Sequence, residues 1–183
     1  MSTPGGPHVR AVDADEHRRV GDLTVEAYAA LPVDHLWGGY DDHIRAVAER
    51  LEQADVLVAE VDGRVVGAVT YVSDPESPWR EWSEPGEAQI RLLAVDTGVQ
   101  GRGIGEALVG ACIARAREQQ MTILLHTTNH MPAAQRLYAR MGFTRRPDRD
   151  VHDFEVEHAM TFLAFTLDPR TIDPSADRVS RAD

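Results

Sequence analysis

The chain has one cysteine in 183 residues, Cys112, so it forms no internal disulfide, and a reducing cytoplasm is compatible with it. No apolar run approaches the roughly 20 residues that a membrane span requires. The opening residues, MSTPGGPHVR, carry no apolar stretch of the kind found in a secretory signal. A cytoplasmic location is therefore expected, with no membrane partner. Basic residues are also scarce, 19 against 30 acidic, for a net charge of −11. Proteins that grip a phosphate backbone display a basic patch, so nucleic acid is disfavoured as a partner. The acidic balance favours a cationic substrate such as an amine instead. Arginines do gather near Arg102, Arg115 and Arg117, so the field need not be uniform.

What is present suits a single globular domain. Apolar residues are 43 % and charged residues 27 %, and the length supports one proper core but not comfortably two. Residues 1–6 read as a flexible terminus, 7–168 as the domain, and 169–183, with Pro169, Pro174 and scattered charge, as a disordered tail. A first strand is expected at 8–12. Asp13 then caps a helix to about Ala30, with Val20, Leu23, Thr24 and Ala27 on one face. A second helix is expected from Asp41 or Asp42 to Gln53. Asp62-Gly63 between VLVAEV and VVGAVTYV predicts a hairpin. Residues 73–86, SDPESPWREWSEPG, read as a long loop. The order continues with a strand at 88–95, a helix at 106–120, a strand at 121–126 and a helix from Pro132 to Met141. Strands near 154–156 and 160–167 close the chain. The sum is β-α-α-β-β-β-α-β-α-β-β, a single mixed α/β sheet with one parallel right-handed crossover between residues 88 and 126.

The stretch VQGRGIGEAL, residues 99–108, sets three glycines at alternate positions between a strand and a helix. Two familiar phosphate cradles fail here. A P-loop needs a lysine after its last glycine, where this chain has Glu106. The dinucleotide fingerprint fails in register from either Gly101 or Gly103. What stands is strand–Q-x-x-G-x-G–helix, with Gln100, Gly103 and Gly105 in the named places. A ligand-free glycine turn also fits these residues. Alternatively, the N–H groups of a helix start accept a pyrophosphate, glycines let them reach it, and Arg102 adds charge.

A second motif, MPAAQRLYARMGF at 131–143, joins LLAV at 92–95 before the glycines. Together they resemble the GNAT family of N-acetyltransferases, from the first strand to about Leu167. The resemblance implies the single mixed-sheet acyl-CoA N-acyltransferase fold. It implies acetyl-CoA as donor substrate, with its pyrophosphate on Gln100, Gly101, Arg102, Gly103, Ile104 and Gly105. Its pantetheine would pair with Leu93, Ala94 and Val95, where the central strands splay. The acetyl group would pass directly to a small-molecule or peptide amine in a ternary complex, with Tyr138 protonating the departing thiolate. The chemistry agrees: a phenol is a credible general acid, and a backbone N–H can polarise the thioester carbonyl. Cys112, among apolar helix positions, reads as a packed thiol rather than a nucleophile.

The chain departs from the pattern at two places. Many relatives carry a glutamate six residues before the valine of LLAV; here that residue is Gln89, which cannot take a proton. Glu87 shares its strand face and is the candidate base, with an exposed loop-end carboxylate as the bland reading. His126, with its near-neutral intrinsic pKa, and water alone are the other candidates. The asparagine expected seven residues before the tyrosine is Met131, and Asn129 is the candidate replacement as a coenzyme ligand. His126, His130, His152, Asp153 and His158 do not make a metal-ligand spacing, and no metal is expected. Trp79 and Trp82 read either as lining an acceptor pocket or as packing under the loop. Tyr28, Trp37 and Tyr40 fall where relatives build the acceptor site. Polyamine, aminoglycoside, amino acid and protein N-terminus all fit as acceptors, and a homodimer fits the chain as well as a monomer. Loss of the glutamate also admits a non-catalytic acyl-CoA sensor, although a sensor has no need of an acid at the sulfur.

Overall fold

The computed structural model describes residues 6–29, 40–153 and 160–172. Strand β1 (His8–Ala11) runs to Asp13, whose N–H donates to the Glu16 carboxylate at 2.9 Å while the Glu16 N–H donates to the Asp13 carbonyl at 3.0 Å. A short 3₁₀ turn (Ala14–Glu16) then leads into α1 (His17–Ala29), which buries Val20, Leu23, Thr24 and Val25. The single second helix expected from the sequence is two: α2 (Tyr40–Arg45) and α3 (Val47–Leu51), broken at Ala46, whose ψ of +56° is not helical. Trp37, Leu31-Pro32, the expected strand at 154–156, His158 and most of the predicted tail lie outside the described residues.

The hairpin forms as Asp62-Gly63 dictates. Both residues have positive φ, +50° and +73°, and they join β2 (Asp55–Val61) to β3 (Arg64–Val72). After the long connection come β4 (Glu87–Val95), α4 (Ile104–Glu118), β5 (Thr122–Thr128), α5 (Pro132–Arg140), β6 (Thr144–Arg145), β7 (Val151–Asp153) and β8 (Met160–Leu167). The sheet order is β1-β2-β3-β4-β5-β8-β6, with β7 on β8. Every pairing is antiparallel except β4–β5, which the α4 crossover makes parallel. The two-residue β6 and the three-residue β7 are strands that the sequence pattern did not predict.

The sheet has two covered faces. On one, Ala88, Ile90, Ile123, Leu125 and Phe165 pack with Ile104, Leu108, Val109 and Cys112 of α4 and Tyr138 of α5. On the other, Val72 and Leu92 pack with Val25 of α1, Ile44 of α2 and Trp79 of the β3–β4 connection. Gly67 on β3 lets α4 lie close, since a Cβ there would meet Ile104 Cγ2 at 2.9 Å and Leu108 Cδ1 at 3.1 Å.

Two irregularities of β4 shape the site. Its register with β3 slips between Ala68 and Thr70, and Leu92 there has φ +51°, a strained left-handed value for a branched side chain. Its pairing with β5 ends at Ile90↔Leu125, although β4 continues to Val95 and β5 to Thr128. Beyond that last pair the two parallel strands part.

Candidate functional site

Asp96 N–H donates to the Val66 carbonyl at 2.8 Å, and Ala94 is the register partner of Ala68. By alternation, the N–H and C=O of Leu93 and Val95, either side of Ala94, turn away from β3 and into the gap toward β5. The expected splay is therefore present at Leu93, Ala94 and Val95, and it opens an unpaired backbone edge. Thr127, on β5 past the last pair with β4, has a buried hydroxyl with no hydrogen-bond partner.

The glycine stretch follows at once. Asp96 holds its start, accepting from Gly98 N–H at 3.0 Å and pairing with Arg19 of α1 at 2.7 Å. Gly101 and Gly103 have φ of +79° and +74°, conformations closed to other residues without strain, and a Cβ at either would meet nothing within 4 Å. Gly105 has a different use: a Cβ there would lie 3.3 Å from Leu137 Cδ2, so it admits α5. The first helical bond of α4 runs from Ala107 N–H to the Gly103 carbonyl at 2.9 Å. The N–H groups of Ile104, Gly105 and Glu106 thus have no carbonyl one turn back, and Gly103 supplies no capping side chain. An uncapped helix start with glycines before it offers backbone N–H donors that can hold an anion.

Tyr138 is 5 % exposed, on the α5 side of the sheet, with Phe143 and Phe165 rings at 5.7 and 5.9 Å. Burial pushes its phenol well above the ordinary tyrosine value, and Tyr28, on the opposite face, is near enough to add to the rise. The phenol keeps its proton through the physiological range, the state a proton donor needs.

Glu87 is neither exposed nor poised. It is 8 % exposed, and its carboxylate takes Arg149 Nη1 at 2.6 Å, Arg149 Nη2 at 2.9 Å and Glu84 N–H at 2.8 Å. Burial pushes its pKa up, but the Arg149 contacts and the Glu84 N–H outweigh that and hold it below the usual value. A carboxylate so occupied is a poor proton acceptor, which corrects the expectation of a base at Glu87. Gln89, 3 % exposed on the same face, accepts from Glu81 N–H at 2.8 Å and donates to the Glu81 carbonyl. Arg91 completes the row, donating to the Trp79 carbonyl at 2.6 Å and pairing with Glu81 at 3.0 Å. The three polar side chains of β4 pin residues 79–84 to the sheet.

His126 lies on that face of β5, one residue past the last β4 pair. Its Nε2 is 3.3 Å from the Arg149 carbonyl, which fixes the tautomer: Nε2 carries the hydrogen and Nδ1 the lone pair. Burial lowers its pKa, so the ring is neutral at pH 7. Asn129 is exposed, and its Oδ1 accepts from Thr161 N–H at 3.4 Å, an edge contact with β8. Met131 sits at the start of α5, where Gln135 Nε2 donates to the Thr128 carbonyl at 3.0 Å. Trp79 is buried, stacked on His43 at 4.1 Å; Trp82 is 47 % exposed. Cys112 is fully buried, its thiol pushed up to about 12, which excludes a thiolate nucleophile. Among the described residues no group of three or more His, Cys, Asp or Glu is placed to hold a metal, and no helix is long and apolar enough to cross a membrane. Arg149 is the participant that sequence reasoning missed, since nothing local ties it to a carboxylate 62 residues away.

A sequence model of the acetyltransferase (GNAT) family matches residues 22–143. Mycothiol acetyltransferase of Cellulomonas flavigena is 32 % identical over 149 residues, 78 % of this chain and 42 % of that protein. The protein of the same name from Geodermatophilus obscurus is 28 % identical over 153 residues, 79 % of this chain and 47 % of its own. The chain thus spans under half the length of these two curated relatives. A Salmonella typhimurium structure, described as an acetyltransferase with its cofactor acetyl-CoA, superposes with a TM-score of 0.68 at 20 % identity, covering 92 % of this chain and 96 % of that one. The ribosomal-protein-alanine N-acetyltransferase of Brucella melitensis gives 0.66 at 19 % identity, covering 87 % and 98 %. These structural likenesses show a shared fold.

Proposed function

The chain belongs to the acetyltransferase (GNAT) family, and from that premise we propose that it transfers an acetyl group from acetyl-CoA to a primary amine by direct attack in a ternary complex. One observation carries the reading: a buried, protonated phenol, Tyr138, packs on Phe165, the register partner of the Leu125 at which β4 and β5 part, and β4 leads on into an uncapped glycine turn. A binding module needs the cradle but not the acid.

When bound, acetyl-CoA supplies an activated thioester. The N–H groups of Ile104, Gly105 and Glu106, with the amides from Gln100 to Gly103 and the charge of Arg102, hold its pyrophosphate. The gap-facing backbone of Leu93 and Val95 pairs with the pantetheine and offers an N–H to polarise the acetyl carbonyl. Tyr138 donates its proton to the departing sulfur. His126 Nδ1, freed by the bond from Nε2 to the Arg149 carbonyl, accepts the proton of the attacking amine, directly or through a water, in the role first given to Glu87. Asn129, exposed and accepting from Thr161 N–H of β8, is a candidate coenzyme contact in place of the asparagine absent at Met131. A reducing cytoplasm suits the one free thiol.

The test is release of coenzyme A from acetyl-CoA across a panel of amines. Sustained release with any amine upholds the enzyme; tight acetyl-CoA binding with none released makes the chain a sensor.

A further inference from the structure

The β3–β4 connection holds four consecutive residues under separate constraints. Gln89 takes both backbone groups of Glu81, Arg149 Nη2 donates to the Trp82 carbonyl at 3.1 Å, Arg80 Nε reaches Ser83 Oγ at 2.6 Å, and Glu87 accepts from Glu84 N–H at 2.8 Å. Two of the clamping side chains, Gln89 and Glu87, are buried polar groups of β4. What they hold in place is a large apolar ring in the open. Trp82 is 47 % exposed and has φ +55°, a left-handed value that costs a residue with a Cβ. Packing alone does not account for this, because an indole held for its packing is covered, as Trp79 is at 7 %.

The ring is fixed at a particular place. Its centroid is 5.0 Å from that of His126, edge-on, and 5.4 Å from that of Phe162. His126 is the first residue of β5 beyond the pairing with β4, so the indole stands at the mouth of the splay, on the face opposite Tyr138. A primary amine reaches the site as an ammonium ion. It must be held there before it gives up its proton, and an exposed indole face is the strongest aromatic acceptor of a cation. On the same turn, the Glu84 carboxylate is 72 % exposed and 4.0 Å from Arg149, and Glu81 is paired with Arg91 at 3.0 Å, in a chain of net charge −11.

We propose that Trp82 is the acceptor platform: its exposed face receives the alkylammonium group of the substrate amine beside His126, making it a specificity-determining residue for cationic acceptors. The inference rests on the acetyl-transfer reading above.

The experiment measures coenzyme A release with 1-aminobutane and 1,4-diaminobutane at saturating acetyl-CoA, for wild type and for Trp82→Gly, Trp82→Leu and Trp82→Phe. The chain contains no lysine, so it offers no ε-amine of its own to compete with the added acceptor. Glycine accepts φ +55° freely, so Trp82→Gly removes the ring without adding backbone strain, and Trp82→Phe keeps a ring in place. The expected result is a roughly five- to thirtyfold rise in the amine KM for Gly and Leu, the range of a cation–π contact. Phe retains most of the affinity, and the acetyl-CoA KM stays unchanged in all three. Full rescue by Leu overturns the cationic reading, since apolar contact alone then suffices. Unchanged amine KM in all three variants of an active enzyme overturns the platform while leaving acetyl transfer standing. A wild type that releases no coenzyme A with any amine overturns the transfer and the platform together.

Discussion

At the residue scale the proposed transfer divides its work between two rings of opposite protonation habit. Tyr138 is pushed up by burial and keeps its proton; His126 is pushed down by burial and lacks one at neutral pH. Tyr138→Phe removes the acid without removing the ring, so turnover is expected to fall by roughly 10²–10⁴ with acetyl-CoA affinity nearly constant. Steady-state rates and calorimetry check the two halves separately. For His126, a lowered pKa means the base stays neutral as the pH falls through about 6.5 and gains its proton only below that. The acidic limb of kcat/KM is therefore expected below the ordinary histidine value, and His126→Gln is expected to remove that limb and lower the rate by roughly 10². Glu87→Gln is expected to leave the limb in place and to lower stability instead, because it strands Arg149, only 13 % exposed, without its counter-charge. Placing a glutamate at 89 is no repair, since Gln89 Nε2 donates to the Glu81 carbonyl, and a carboxylate would face that oxygen.

At the element scale, α4 works from both ends of its approach to the sheet. Its start, with Gly101 and Gly103 at positive φ and no side-chain cap, is the proposed ligand end. Its body is brought close by Gly67 of β3. Gly67→Ala is expected to destabilise by roughly 1–3 kcal/mol through overpacking against Ile104 and Leu108, read as a shift in the denaturation midpoint. Gly103→Ala meets no atom, so its cost is backbone strain of roughly 1–2 kcal/mol. Its larger effect is expected on acetyl-CoA affinity, because the cradle and the strained φ are the same residue. The two variants therefore separate the packing of α4 from its ligand end, with calorimetry and denaturation giving opposite rankings.

At the scale of the whole molecule the charge pattern makes an acid-sensitive fold. Glu16, Glu87, Asp96 and Asp150 all sit below their ordinary values: Glu16, Glu87 and Asp150 through arginine contacts that outweigh burial where it opposes them, and Asp96 chiefly through the Gly98 N–H and then Arg19. A carboxylate whose folded pKa is depressed adds stability above its unfolded value of about 4 and loses it as the pH falls through the folded one. Circular dichroism is expected to show stability level above roughly pH 5 and declining steadily below pH 4, and Arg149→Ala, which leaves Glu87 buried without its partner, is expected to cost roughly 3–5 kcal/mol at neutral pH.

Much of this was written locally. Asp62-Gly63 set a turn that only positive φ satisfies, Asp13 with Glu16 started a helix, and Gly101 with Gly103 marked a backbone meant to be approached. Each of these is decided within a few residues, by φ preference or a side chain reaching its own backbone, so the sequence alone determined the hairpin, most of the order of the elements, the glycine turn before α4 and the family pattern around Tyr138. The partner of Glu87 was not written there. Whether that carboxylate would be a base or a clamp depended on Arg149 arriving from the far edge of the sheet, and the tautomer of His126 depended on the same segment's carbonyl. The splay, too, follows from a register slip between β3 and β4 and from where β5 leaves its neighbour. Hydrogen bonds and ion pairs between residues 23 to 62 positions apart have no local signature, because their energy is set by burial and distance, which exist only once the sheet has closed.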